Sequence, residues 1–96
     1  MFDCYRVEGN EIVVNVRDIS PDDLLYLVDL ITSEFLYDRK DLIKIKGDAP
    51  IWLYISLCHL LSYLVNKAIA VYDASAGGYV VVISHHPEYK IGQVIT

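Results

Sequence analysis

The chain has 96 residues, a net charge of −5, and a composition that is 54% hydrophobic and 11% aromatic. Such a chain has no diffuse positive field to hold long nucleic acid through counterion release, which excludes duplex DNA and duplex RNA as expected partners. That much apolar side chain is more than one small core of this length readily buries, so a self-associating surface is expected, most simply a two-fold homodimer.

In chain order, Phe2 to Val7 and Glu11 to Val16 are short β-rich runs separated by "EGN", whose Gly-Asn pair suits a tight hairpin turn. "ISPDDLLYLVDLITSEFL" follows with a helix start: Ser20 can cap, Pro21 suits the first helical position, and Asp22 and Asp23 favour the positive end of the dipole. Leu24, Leu27, Val28, Ile31 and Phe35 then recur at helical spacing, which predicts a helix lying on a sheet by one face. "LIKIK" alternates, so Leu42 to Lys46 is a strand with Leu42, Lys44 and Lys46 on one face and Ile43 and Ile45 on the other.

"GDAP" disfavours helix at Ala49 and suits the first turn of a new helix at Pro50. The apolar run from Ile51 to Val65 is shorter than the roughly 20 residues a membrane span requires and reads as a second, largely buried helix. Beyond it, "AIAVYDA" and "GYVVVISH" form a second hairpin across "SAGG", and "PEYKIGQVIT" ends in one more short strand at most. The order predicts a single small α/β domain over residues 1–96, with a mixed sheet of about five strands and two long helices packed on it.

Cys4 and Cys58 are far apart and outside any zinc-type spacing, and "MFDCYRVEGNEI" lacks a basic region followed by an apolar run. Free thiols in a reducing cytoplasm, with no membrane association, are the expectation.

In the second helix, Leu53, Leu57, Leu60 and Leu64 share one stripe, with Tyr54, Cys58, Leu61 and Val65 on its flank. Trp52, Ser56, His59, Tyr63 and Asn66 form a third face, polar except for the tryptophan. His59 therefore lies outside the apolar stripe. Two readings stand: it hydrogen-bonds a neighbour such as Ser56 or Tyr63, or it is a metal ligand or proton carrier in a wet site. The other titratable candidates are Asp73, ending "AIAVYD", and His85 and His86, ending "GYVVVISHH". In an antiparallel hairpin Asp73 lies by the turn and His85 toward the opposite end, so a site using all three points to a subunit boundary.

Each candidate also has a structural reading. An aspartate before "ASAGG" forms turns, and paired histidines before a proline form a solvated strand exit. Trp52 and the eight tyrosines invite nucleobase stacking, yet such side chains mostly fill cores and interfaces. The helix start at "GDAP" offers backbone N–H groups to a phosphate, against which the Asp48 carboxylate competes.

Taken together, "GDAPIWLYISLCHLLSYL", "AIAVYDASAGGYVVVISHH" and "IGQVI" resemble the CRISPR-associated Csx-three family, ring nucleases of type III systems. The resemblance covers essentially the second half of the chain; the first half agrees in its order of elements. It implies a fold related to CRISPR-associated Rossmann-like (CARF-like) domains, a homodimer, and manganese-dependent cleavage of cyclic tetra-adenylate held between two dimers. His59, Asp73 and His85 are then the catalytic residues and the ligands for Mn2+, with Trp52, Ser56, Tyr63 and His86 beside them as ligand-binding candidates. The family also acts on polyadenylated ends of single-stranded RNA, and a non-catalytic sensor or sink for the ring is the other reading. The turn "DASAGG" has no basic residue where the resemblance implies one; Lys46, Lys67 and Lys90 are the candidates to supply that charge.

Overall fold

The computed structural model describes residues 4–96. Strands β1 (Tyr5–Glu8) and β2 (Glu11–Asn15) pair antiparallel across Gly9 and Asn10. The Asn10 side-chain amide donates to the Leu42 carbonyl at 2.9 Å and ties this turn to the next strand. The Ser20 hydroxyl accepts from the Asp22 backbone N–H at 3.2 Å, and a single 3-10 turn over Pro21–Asp23 leads into α1 (Leu24–Ser33). The remaining elements are β3 (Leu42–Asp48), α2 (Ile51–Leu61), β4 (Ala68–Asp73), β5 (Gly78–Ser84) and β6 (Val94–Ile95).

The six strands lie in the sheet in the order in which they occur in the chain. β2–β3 and β3–β4 are parallel and the other three pairs antiparallel. Each parallel step needs a helical crossover, and two crossovers of one hand stepping the same way put both helices on the same face. The main core fills the space between: Leu27, Val28 and Ile31 of α1 and Leu53, Leu57 and Leu61 of α2 meet Ile12, Val14, Ile43, Ile45 and Ile69 of the strands. Strand residues alternate between the faces, as the "LIKIK" pattern implied: Ile43 and Ile45 are buried while Leu42, Lys44 and Lys46 are half-buried on the opposite face.

Among the described residues no helix covers that opposite face. Ala68 and Ala70 are small, so the ring of Tyr79 packs with them and with Val81. From β5 the Tyr79 hydroxyl reaches past two strands to donate a hydrogen bond to Glu11 of β2, and the Lys44 ammonium sits 4.8 Å from its ring centroid. Burial, then the Glu11 carboxylate, pushes the Tyr79 phenol up to about 12.

Three features depart from the sequence expectation. The sheet has six strands rather than about five, because the tail pairs as β6 against Tyr79 and Val80. Gly78 permits this close approach: a Cβ there would stand 2.5 Å from the Ile95 carbonyl oxygen. β3 runs on through Gly47 and Asp48, two residues past the expected strand end at Lys46, with Gly47 paired to Val14 at φ +131°, a conformation open to glycine. α2 ends at Leu61 rather than near Val65, since the Asn66 and Lys67 backbone N–H groups turn to the Lys40 and Asp41 carbonyls, each at 2.8 Å. The expected start of the first strand at Phe2 lies outside the described residues. Among the described residues no helix is long and apolar enough to cross a membrane.

Candidate functional site

α2 runs antiparallel to the strands it joins, so its beginning lies at the Asp48 end of the sheet and its end at the Leu42 and Ala68 end. Its buried stripe is Leu53, Leu57 and Leu61, continued by Val65 beyond the helix; Leu60 and Leu64, expected in that stripe, are half-buried at its margin. The outward ridge is Ile51, Ile55 and His59, at successive i+4 positions, and all three are exposed.

Two grooves flank this ridge. One, of ≈ 570 Å³, lies between the helices, with Leu24, Leu25 and Val28 on one wall and Ile55, Ser56 and His59 on the other. The second, of ≈ 470 Å³, lies between α2 and the last long strands, with Tyr54, Cys58 and His59 facing Val71, Val82 and Ile83. His59 is thus on the rim of both. Its ring meets the ring of Tyr63 edge-on at 5.3 Å between centroids, and Ser56 stands half-buried beside it in the interhelical groove. Burial pushes the Cys58 thiol up to about 11, which keeps it protonated near neutral pH.

His85 lies just past β5, where its backbone N–H donates to the Lys67 carbonyl. Its Nε2 is 2.8 Å from the Ser62 carbonyl oxygen at the end of α2, and the Ser62 hydroxyl donates to the His59 carbonyl at 2.5 Å. Ser62 therefore links the two histidines through the last turn of α2, a role that sequence spacing did not single out. A carbonyl oxygen can only accept, so this bond places a proton on His85 Nε2.

Asp73 is elsewhere. Register pairs Asp73 with Gly78 beside the turn and Ala68 with Ser84 at the far end of the hairpin. The five residue steps from Ala68 to Asp73 put the carboxylate roughly 16 Å along the strand from the His85 end. Among the described residues no three His, Cys, Asp or Glu side chains form a group able to hold a metal ion. Imidazole and carboxylate donors suit a divalent transition metal, but the positions of these three in one protomer do not.

The neighbouring candidates divide. Trp52 is half-buried against the main core, which makes it a packing residue in the protomer. His86 Nδ1 accepts from the Glu88 backbone N–H at 3.0 Å and orders the strand exit. Lys67 Nζ is 2.8 Å from the Glu88 carboxylate, a contact that raises the lysine pKa and lowers that of the glutamate. Lys46 lies 3.9 Å from Glu11 on the sheet face without helices, and Lys90 is exposed. At the start of α2, Asp48 is paired with Arg17 at 2.6 Å.

A mixed sheet with two helices on one face defines a small α/β domain. The chain matches the CRISPR-associated protein (Cas_csx3) family over residues 12–96 and belongs to that family. It is also 41% identical over 81 residues to an uncharacterized protein of Aquifex aeolicus (strain VF5), a match that covers 82% of this chain and 68% of that protein.

Proposed function

We propose that this protein is a metal-dependent phosphodiesterase that opens cyclic tetra-adenylate and so ends a type III CRISPR signal. The observation that carries the reading is the family match, whose span of residues 12–96 includes His59, Asp73 and His85. In this reading His59 acts as general acid or base on the exposed end of α2, Asp73 orients the reacting group, and His85 protonates the leaving oxygen. A divalent cation, manganese by family resemblance, would be held by His59, Asp73 and His85 brought together from more than one protomer, and would supply charge stabilisation to the phosphodiester. Ser62 holds the imidazole of His85 through Nε2, which leaves Nδ1 as its nitrogen for substrate. The separation of Asp73 from the histidines supports a site assembled from more than one protomer.

A small ring makes few phosphate contacts and needs no broad basic field, which suits a chain of net charge −5 better than a long RNA tail does. The test is incubation of cyclic tetra-adenylate with the protein and manganese, with products resolved by chromatography. Linear products that require both protein and metal support the reading; a ring left uncut at every protein concentration rejects it.

A second reading, a sensor or sink that binds the ring without cutting it, is favoured by one feature. "DASAGG" has no basic side chain, and Lys46 and Lys67 both lie beside carboxylates. Tight calorimetric binding without turnover would select it.

A further inference from the structure

The carboxyl ends of the parallel strands β2, β3 and β4 lie at one end of the sheet and carry Asn15, Asp48 and Asp73. In open α/β sheets ligands bind outside the carboxyl ends of the strands. Here that end is acidic: Asp48 and Asp73 stand on the strands, and Asp18, Asp22 and Asp23 follow on the segment into α1. A phosphodiester brought to Asp73 meets like charge from each of them, so its binding calls for a cation held close by. Among the described residues, Arg17 is the one positive side chain on the segments that leave these strand ends, 16–20, 49–50 and 74–77.

The place of Arg17 is fixed by its neighbours. The Val16 backbone N–H donates to the Asp48 carbonyl at 2.9 Å, the Asp48 N–H donates to the Asn15 side-chain oxygen at 3.2 Å, and the Arg17 guanidinium lies 2.6 Å from the Asp48 carboxylate. Carried two residues past Ile45 and Val71, the register of β3 on β4 sets Asp73 opposite Gly47, the neighbour of Asp48, across one strand spacing of about 5 Å. Burial raises the Tyr54 pKa, the Asp48 charge adds to the rise and the Arg17 charge opposes it, so both charges stand near the Tyr54 phenol. Tyr54 lines the groove beneath α2 with Val71, which shares its side of β4 with Asp73. The guanidinium and the Asp73 carboxylate therefore lie at the same end of that groove. The ion pair that holds Arg17 is readily exchanged, because its side chains are 65% and 63% exposed, where water and salt screen the attraction. A guanidinium grips phosphate through two parallel hydrogen bonds, as it grips carboxylate. Neither lysine considered above competes for this place: Lys67 precedes β4 at the opposite end of the sheet, and Lys46 projects from the face without helices.

We infer that Arg17 is a phosphate-binding residue, which exchanges the Asp48 carboxylate for a phosphate of the bound adenylate ring at the Asp73 end of the sheet. The identity of the ligand rests on the proposed function; its cleavage is not needed. The test titrates cyclic tetra-adenylate, with chelator present to prevent cutting, into the unsubstituted protein, Arg17→Gln, Arg17→Lys and Asp48→Asn, by calorimetry at several salt concentrations. Arg17→Gln weakens binding about tenfold or more and lowers the slope of log affinity against log salt by about 0.7, the share of one phosphate contact, while Arg17→Lys keeps part of both. Asp48→Asn, which frees the guanidinium and removes a competing charge, binds as tightly as the unsubstituted protein or more tightly. The thermal midpoints of all four stay within a degree or two, since the pair is exposed. Equal losses in Arg17→Gln and Asp48→Asn mean that the pair only shapes the loop, and they overturn the inference. So does an Arg17→Gln protein that binds the ring with unchanged affinity and salt slope. A ring that the unsubstituted protein does not bind overturns both this inference and the proposed function. Binding that depends on Arg17, with no cleavage once manganese is restored, leaves the inference standing and removes only the phosphodiesterase.

Discussion

Asp73 and His85 stand at opposite ends of one antiparallel hairpin: Asp73 pairs with Gly78 at the turn, while the His85 backbone N–H bonds Lys67 just before β4 begins. Strand register fixes this separation, so no side-chain rotation brings the two together in one protomer. His59 shares the His85 end, through Ser62.

Substitution of His59 follows from its exposure. His59→Ala leaves the thermal unfolding midpoint within a degree or two, because the side chain is outside the core, and lowers ring cleavage about a hundredfold or more. Calorimetry and single-turnover cleavage on the same sample check both halves.

Tyr79 gives a pH-dependent prediction. Its phenol is held neutral in the folded protein with a pKa of about 12, raised from 10.0 by burial and by Glu11. The neutral form is the one the fold favours, so the stabilisation is complete below pH 10 and is lost as pH rises through about 12. Tyr79→Phe removes the bond to Glu11, costs about 1–3 kcal/mol at neutral pH, and flattens the alkaline fall in stability. Urea unfolding at a series of pH values measures this; identical alkaline profiles for both proteins would contradict it.

Gly47 is predicted to tolerate no side chain. A Cβ at this position collides with the backbone of Val14 in the paired strand, and φ of +131° adds strain. Gly47→Ala should cost about 3 kcal/mol or more, by chemical denaturation. Gly9→Ala, with a positive φ but open space around it, should cost about 1 kcal/mol.

Cys58 is predicted to be slow toward thiol reagents at neutral pH, because burial raises its pKa to about 11. Its labelling rate should climb as pH approaches that value, or when denaturant opens α2. Rapid labelling at pH 7 in the native state would mean that the groove beside α2 opens readily.

Much of this frame is legible in the sequence. Alternation in "LIKIK" assigns the two faces of β3, Ser20 and Pro21 mark the start toward α1, and the two hairpins follow from their glycine turns. What escaped is set by contacts distant in sequence. The continuation of β3 through Gly47 depends on Val14, and the pairing of β6 depends on Gly78 making room for Ile95. The face of α2 that carries His59 was read as mainly polar, but Ile51 and Ile55 also lie on it and make it an apolar ridge ending in an imidazole. The Ser62 link needs the approach of β5 to the end of α2, which helical spacing alone does not reveal. The position of Asp73 relative to His85 was legible, because hairpin topology alone dictates it.

The most direct test of the account is cleavage of cyclic tetra-adenylate by the purified protein with manganese, compared with the same protein after chelation and with Asp73→Ala. The account predicts linear adenylate products from the first sample and an intact ring from the other two. An intact ring in all three, from protein shown to be folded, would contradict it.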